Sequence, residues 1–261
     1  MIAEPAEVAP DRDAVRGAIG TFVANVTRWD GDNVARWRAP VCPSVSGATT
    51  EQAEFIRSRV LELAASVNAP ASSDKSCEAN LLIALTDHPD QTWEAWRKSN
   101  PRMFGRDAKD SMQRLVDGKR PVVSWQNSAL NADGRVAVKR NADRPTEFRV
   151  SDSRIRSGVS KDISSAVVVV NSSATGKATF GQLADYIAMV SLARIDPRLD
   201  PDEDLAGSST ILRLFGSNQE SAPKRLTNWD TAFLKGLYRS SDPVLRQRAE
   251  IIRGMRDELA P

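Results

Sequence analysis

AVVVVNSSATGKATFGQLADYIAMVSLAR, residues 166–194, holds the decisive change of rhythm in this 261-residue chain. Val167 to Val170 form an unbroken β-branched run, the mark of a strand buried on both faces. The polar residues 171–176 (NSSATG) break it. From about Thr179 to Arg194 the period becomes helical, with Leu183, Ile187, Val190 and Ile195 turned inward. Gly176-Lys177 between strand and helix superficially matches a phosphate-binding loop. That motif fails twice, because Asn171 stands at its first glycine and Ala178 at its Ser/Thr.

Downstream, residues 197–206 read as an acidic loop and Ser209–Leu214 as a short apolar piece. Thr227 with Asp230 caps a helix running to Tyr238, and Asp242-Pro243 opens a last helix carrying Val244, Ile251, Ile252 and Met255. Upstream, residues 107–117 make a short helix and 121–125 (PVVSW) a strand. Val136–Val138 and Phe148–Ile155 are expected to pair as further strands. Residues 80–86 (NLLIALT) form a buried strand ending in the Asp87-His88-Pro89 turn. A short helix with Trp93 and Trp96 on one face follows and halts before Pro101. Thr49 and Gln52 make a capping box for a helix with the stripe Phe55, Ile56, Val60 and Leu63. Residues 39–47 (APVCPSVSG) alternate like a strand. Gly20–Val26 is mixed in character, and residues 1–12 read as a disordered leader. Helices and strands interleave without a βαβ repeat, which points to an α+β fold.

Composition narrows the function classes. The chain is 41% hydrophobic and 27% charged, with a formal net charge of +2. That is too near neutral to imply a nucleic-acid partner by bulk electrostatics. Residues 131–161 carry eight Lys or Arg (135, 139, 140, 144, 149, 154, 156 and 161), a mildly basic solvated face without the interleaved aromatics that single strands require. No stretch nears the roughly 18 consecutive apolar residues of a membrane span. There is one histidine, His88, so mechanisms needing two imidazoles are excluded. It lies beside Asp87 in a turn, with no GxSxG to support serine catalysis. Asp196, Asp200, Asp202, Glu203 and Asp204 crowd one loop. An EF-hand counted from Asp200 puts Leu205 and Ile211 where Gly and Glu are needed, so a solvated acidic loop is the better reading and calcium the lesser one. Cys42 and Cys77 are the only cysteines. Two buried thiols or one disulfide both fit the count. The opening MIAEPAEVAPDRD lacks a basic and apolar leader and reads as the polar tail that follows a signal-cleavage site.

The order of parts from residue 166 onward resembles the zincin metalloproteases, particularly the matrixin-like branch. In that family a strand leads into a helix reading HExxHxxG, then a turn of the type S-I-M, then a closing helix of the type LTxxDxxAxxxLYG. Here residues 226–238 read LTNWDTAFLKGLY, and Ser209-Thr210-Ile211-Leu212 stands at the turn. The resemblance sets Ala184 and Ala188 at the two zinc histidines, Asp185 at the general-base glutamate, Ser191-Leu192 at Gly-Leu and Arg194 at the third ligand. Histidines at i and i+4 are needed because one helical turn brings both imidazoles to one face. Alanine has no lone pair to offer. The resemblance therefore implies a mixed sheet with packed helices, no metal and no cofactor. It divides the chain into a leader (1–12), a zincin-like α+β part (13–195) and a mostly helical C-terminal part (196–261).

The outline also resembles exported alphaproteobacterial proteins, which favours the Cys42–Cys77 disulfide and a periplasmic or secreted location. The implied function is non-catalytic binding of a peptide or protein in a vestigial protease cleft, with Ala184, Asp185, Ala188 and Arg194 as its lining. Asp185 and Arg194 also offer a plain helix-end pair. Two other classes stay open: a hydrolase with a carboxylate site that includes Asp185, and a structural envelope protein docking through an apolar patch near Trp93 and Trp96.

Overall fold

The computed structural model describes residues 12–27, 34–74, 76–99, 106–117, 120–132, 135–136, 159–240 and 247–259. Of the expectations above, the leader up to residue 11, Phe148–Ile155, most of the basic stretch and the Asp242-Pro243 turn lie outside these residues.

The valine run forms the middle of β6 (Val159–Asn171), the central strand of a six-stranded sheet. Beside it on one side runs β3 (Leu81–Thr86), parallel, with β2 (Pro43–Ser46) parallel beyond it. On the other side β4 (Val122–Ala132) is antiparallel, and its far end turns into the two-residue β5 (Arg135–Val136). A second two-residue strand, β1 (Arg36–Trp37), pairs parallel with Asp162 and Ile163 near the start of β6.

Successive side chains of a strand point to opposite faces, and both faces of β6 are covered. Val168 and Val170 enter the main core, whereas Val167 and Val169 enter a second cluster with Met112, Leu115, Val123 and Trp125. This is why four valines follow one another without a polar residue between them. The second cluster is roofed by α3 (Pro89–Ser99) and α4 (Arg106–Val116). Trp93 and Trp96 are half-buried against it, Trp93 edge-on to Trp125 at 5.5 Å between ring centres.

The main core lies on the opposite face. There α2 (Thr50–Ser66) and α5 (Phe180–Leu192) pack together, with the capping boxes Thr49/Gln52 and Thr179/Gln182 both formed. The parallel β2–α2–β3 segment is one βαβ unit inside an otherwise irregular α+β fold. Of the stripe expected on α2, Ile56, Val60 and Leu63 are buried, but Phe55 is 43% exposed, its ring 5.7 Å from that of Phe180.

The remaining parts are helical. A 15-residue helix, α1 (Arg12–Val26), occupies the stretch that reads as mixed. Its Ile19, Phe22, Val23 and Val26 are buried, and Phe22 meets Trp229 and Phe233 edge-on, each at 5.6 Å. A 3-10 turn at Ile211–Phe215 leads to α6 (Asn228–Arg239), whose capping box is Thr227/Asp230, and α7 (Gln247–Leu259) packs on α6 and α1. One hydrophobic cluster includes residues on both sides of position 195. No described helix is long and apolar enough to cross a membrane. Cys42 and Cys77 form a disulfide, with Cα atoms 6.1 Å apart.

Candidate functional site

Helix α5 is enclosed along nearly its whole length: every residue from Gln182 to Leu192 is buried. Ala184 and Ala188 have no exposed surface. A side chain of that size permits close approach of a neighbouring element, and α5 packs on α2. The Asp185 carboxylate is met by Arg59 of α2, whose Nε and Nη2 donate to Oδ1 at 2.8 and 2.5 Å, and its Oδ2 accepts the Leu226 amide at 2.9 Å. Its partner is thus Arg59; Arg194, nine residues along, is half-buried beyond the end of α5. Ala184, Asp185 and Ala188 thus share about one turn of α5, and Arg194 lies past its end.

The C-terminal end of α5 is closed by side chains. The last carbonyls of a helix lack intrahelical donors. Here Gln126 Nε2 donates to the carbonyls of Val190 (2.9 Å) and Ala193 (3.1 Å), Trp37 Nε1 to Ser191 (2.9 Å) and the Tyr238 hydroxyl to Leu192 (2.7 Å). Burial pushes the Tyr238 phenol up, so it remains a donor. Arg36, next to Trp37, does the same for α6. Its Nη1 donates to the carbonyls of Leu237 (2.7 Å) and Ser240 (2.6 Å), and burial, then the nearby Arg38 charge, lowers this guanidinium to about 10. None of Gln126, Trp37, Tyr238 and Arg36 was singled out as a cap, because the signal lies in donor side chains on remote segments.

The turn before α6 is held by a buried carboxylate. Asp230 accepts from Thr210 Oγ1 (2.5 Å), from the Ile211 amide (3.0 Å) and from the amide and hydroxyl of Thr227 (2.9 and 2.8 Å). Burial pushes this carboxyl up, and those four donors oppose the shift.

One cavity abuts α5, and a larger one is lined by no α5 residue. The smaller, about 30 Å³, lies where β4 begins, between Val122–Ser124, Tyr186, Val190 and Ile195–Leu199, with Arg120 at its margin. Tyr186 and Val190 are one turn apart. At about 100° per residue, Tyr186 sits roughly 160° around α5 from both Ala184 and Ala188. The face of the helix turned to this cavity is therefore not the one to which the HExxH alignment assigns its ligands. The larger cavity, about 300 Å³, lies between the acidic loop and the turns at 208–223. Neither is lined by Ala184, Asp185, Ala188 or Arg194.

The acidic loop uses its carboxylates on its own backbone. Asp200 accepts the amides of Asp202 (2.8 Å) and Glu203 (3.1 Å), which hold its carboxyl below the usual range. Asp204 accepts the Asp200 amide, Asp202 the Ser217 amide, and Asp196 pairs with Arg198. Among the described residues no three His, Cys, Asp or Glu side chains form a group able to hold a metal. Exposed His88 lies at the end of β3 in contact with Thr86 and Thr92 through its backbone, while the adjacent Asp87 accepts Ser173 Oγ at 2.9 Å.

No family model, curated protein or solved structure matches the chain.

Proposed function

We propose that this is a non-catalytic, zincin-like protein of an extracytoplasmic compartment that binds an extended peptide or protein segment beside the first residues of β4. The observation that carries the reading is the backbone geometry there. The Asn171 amide donates to the Pro121 carbonyl at 2.8 Å, so Pro121 and Asn171 are a hydrogen-bonded pair. Antiparallel ladders alternate bonded and non-bonded pairs, so the amide and carbonyl of Val122, paired in register with Val170, point away from β6. Among the described residues no second strand lies beside Val122–Ser124. The carbonyl of Ser124 is approached by Ser111 Oγ of α4 at 3.5 Å, so Val122, itself only 4% exposed, is the position whose outward amide and carbonyl lack a strand partner among the described residues. Beside it the 30 Å³ cavity between Tyr186, Val190 and Leu199 has room for one small side chain. Strand addition with one side-chain pocket is a recurrent mode of peptide capture.

The same order of parts (an antiparallel strand at one side, a central strand leading into a buried helix, a turn and a capped closing helix) supports the zincin-like reading. The donor set does not fit zinc: the positions set by the resemblance hold Ala184, Ala188 and Arg194, and the single histidine is on another element. No catalytic step through a metal follows. The disulfide supports an oxidising compartment.

The test is retention of peptides from a complex library, read by mass spectrometry, on the wild type and on Val122→Pro. Proline removes the outward amide while leaving the β6 ladder intact, and it is tolerated at the first residue of an edge strand. Selective retention by the wild type, lost in Val122→Pro, is expected. Equal retention by both, or none by either, refutes the reading. New peptide termini would favour a hydrolase instead.

A further inference from the structure

The 300 Å³ cavity shares no residue with the β4 cavity and is lined by polar groups, among them Asp202, Ser208, Ser209, Arg213, Asn218 and Ser221. Its volume is at the lower end of small-molecule sites. The walls are fixed independently of any occupant. Arg213 sits on the 3-10 turn Ile211–Phe215, which Asp230 and Thr210 pin at its start and the Gly216 amide, donating to the Arg213 carbonyl at 3.0 Å, closes at its end. Ile211, Leu212 and Leu214 of that turn are buried, which leaves Arg213 as its half-exposed cation. The opposite wall, Asn218–Ser221, is tied to the loop before α5 through Gln219, which donates to the Thr175 carbonyl (2.9 Å) and accepts the Lys177 amide (2.8 Å).

The two formal charges of the lining are not equivalent. Asp202 Oδ2 accepts the Ser217 amide at 2.8 Å, and its Oδ1 lies 2.6 Å from where a side-chain carbon on Gly216 would be. Its carboxylate is thus committed to the 216–217 backbone. No described residue makes an ion pair with Arg213. Among the described residues neither charge has an ionic partner, but the Asp202 carboxylate is held by a backbone amide, which leaves Arg213 as the group able to take a ligand's charge; a guanidinium suits a planar carboxylate with two parallel bonds. The hydroxyls add a second requirement. Ser208 Oγ donates to the Leu205 carbonyl (2.7 Å) and Ser221 Oγ to that of Asn218 (2.9 Å), so each hydroxyl is left with acceptor capacity, which suits donors on a ligand.

We infer that this cavity is a binding site for a small hydroxylated carboxylate, of the size and chemistry of a hydroxy acid or sugar acid, with Arg213 as its carboxylate anchor. The ligand's carboxylate meets the guanidinium, and its hydroxyls donate to Ser208 and Ser221. The site stands whether or not β4 binds peptides.

Calorimetric titration of the full chain with three probes tests this: D-gluconate, sorbitol (the hydroxyls without the charge) and hexanoate (the charge without the hydroxyls). Gluconate is expected to saturate, with sorbitol and hexanoate each at least tenfold weaker. Arg213→Gln, a change at a half-exposed position, is expected to weaken gluconate at least tenfold while leaving the thermal unfolding midpoint in place. Gluconate that fails to saturate by about 20 mM, hexanoate or sorbitol that binds as tightly, or an Arg213→Gln variant that binds equally well each overturns the assignment. Peptide retention at β4 is read separately, so failure of one site does not obscure the other.

Discussion

Replacing either partner of the Asp185–Arg59 pair separates a structural carboxylate from a catalytic one. The side chain of Asp185 is 3% exposed and that of Arg59 31%. In Asp185→Ala the guanidinium keeps Glu62 at 3.2 Å and turns toward water, but the Leu226 amide loses its acceptor. A buried donor left unsatisfied costs about 1–3 kcal/mol, and the charge-assisted bonds lost add about as much, less what Arg59 regains from solvent. The expected loss is about 3 kcal/mol. Asp185→Asn keeps an acceptor for Leu226 and costs about 1–2 kcal/mol. Arg59→Ala strands the deeper partner, and removing one member of a buried pair costs about 3–5 kcal/mol; the exposure of Arg59 sets the expectation at the low end of that range.

Urea unfolding followed by tryptophan fluorescence measures all three variants and the double variant. The cycle isolates the pairwise coupling, expected at about 1.5–3 kcal/mol. A coupling near zero, or an Asp185→Ala variant as stable as wild type, would refute the structural role. If Asp185→Asn instead abolished a hydrolytic activity with stability unchanged, the carboxylate would belong to a reaction site.

Three further outcomes follow from the fold. Reduction, or Cys42→Ser with Cys77→Ser, opens a loop of about 36 residues and is expected to cost about 3–4 kcal/mol in the chain-entropy treatment; an unchanged urea midpoint would contradict it. Gly47 has φ +74°, and a side-chain carbon there would lie 1.8 Å from the Leu85 carbonyl oxygen, so Gly47→Ala is expected to lower stability by more than the roughly 1–3 kcal/mol of an adverse backbone angle alone, checked by thermal unfolding. Glu258 accepts from Lys235 (2.7 Å) and Arg239 (2.8 Å), which hold its carboxyl below the ordinary 4.5. Its stabilisation is therefore present above pH 4.5 and is lost as pH falls through the lowered value. The melting temperatures of wild type and Glu258→Gln should accordingly differ at pH 6 and draw together as the pH falls below 4.5 through the lowered value.

What the sequence makes legible is local. The capping boxes at Thr49 and Thr227 are formed, because a hydroxyl and a carboxyl or amide three residues apart need only the backbone between them. The valine run reads as a buried strand because nothing polar interrupts it, and the structure covers both its faces. The α1 helix is harder to read. Gly17, Gly20 and the β-branched residues of this segment argue against a helix, yet Ile19, Phe22, Val23 and Val26 fall at i, i+3, i+4 and i+7, and packing on α7 outweighs propensity. Phe55 is assigned to the buried stripe of α2 on hydrophobicity alone, whereas its partner Phe180 lies at the rim. Least legible are the long-range donors: Gln126 is 64 residues from Val190 and Trp37 is 154 from Ser191. The candidate site falls in that class. The resemblance fixes which positions on α5 to inspect, but only the tertiary arrangement shows that Tyr186 and Val190, not Ala184 and Ala188, face a cavity.

That arrangement constrains where binding can occur. A helix buried from Gln182 to Leu192, with its last carbonyls taken by Gln126, Trp37 and Tyr238, offers a ligand no free carbonyl at that end, and Tyr186 and Val190 are its side chains that line a cavity. On the face occupied by Ala184 and Ala188 there are buried methyl groups, and the neighbouring Asp185 is paired with Arg59. The groups proposed for recognition lie off that face: the outward amide and carbonyl of Val122 at the start of β4, and Arg213 with the serine hydroxyls of its cavity. The first is backbone and selects for an extended chain. The second is charge and hydroxyl, and selects for a small polar acid.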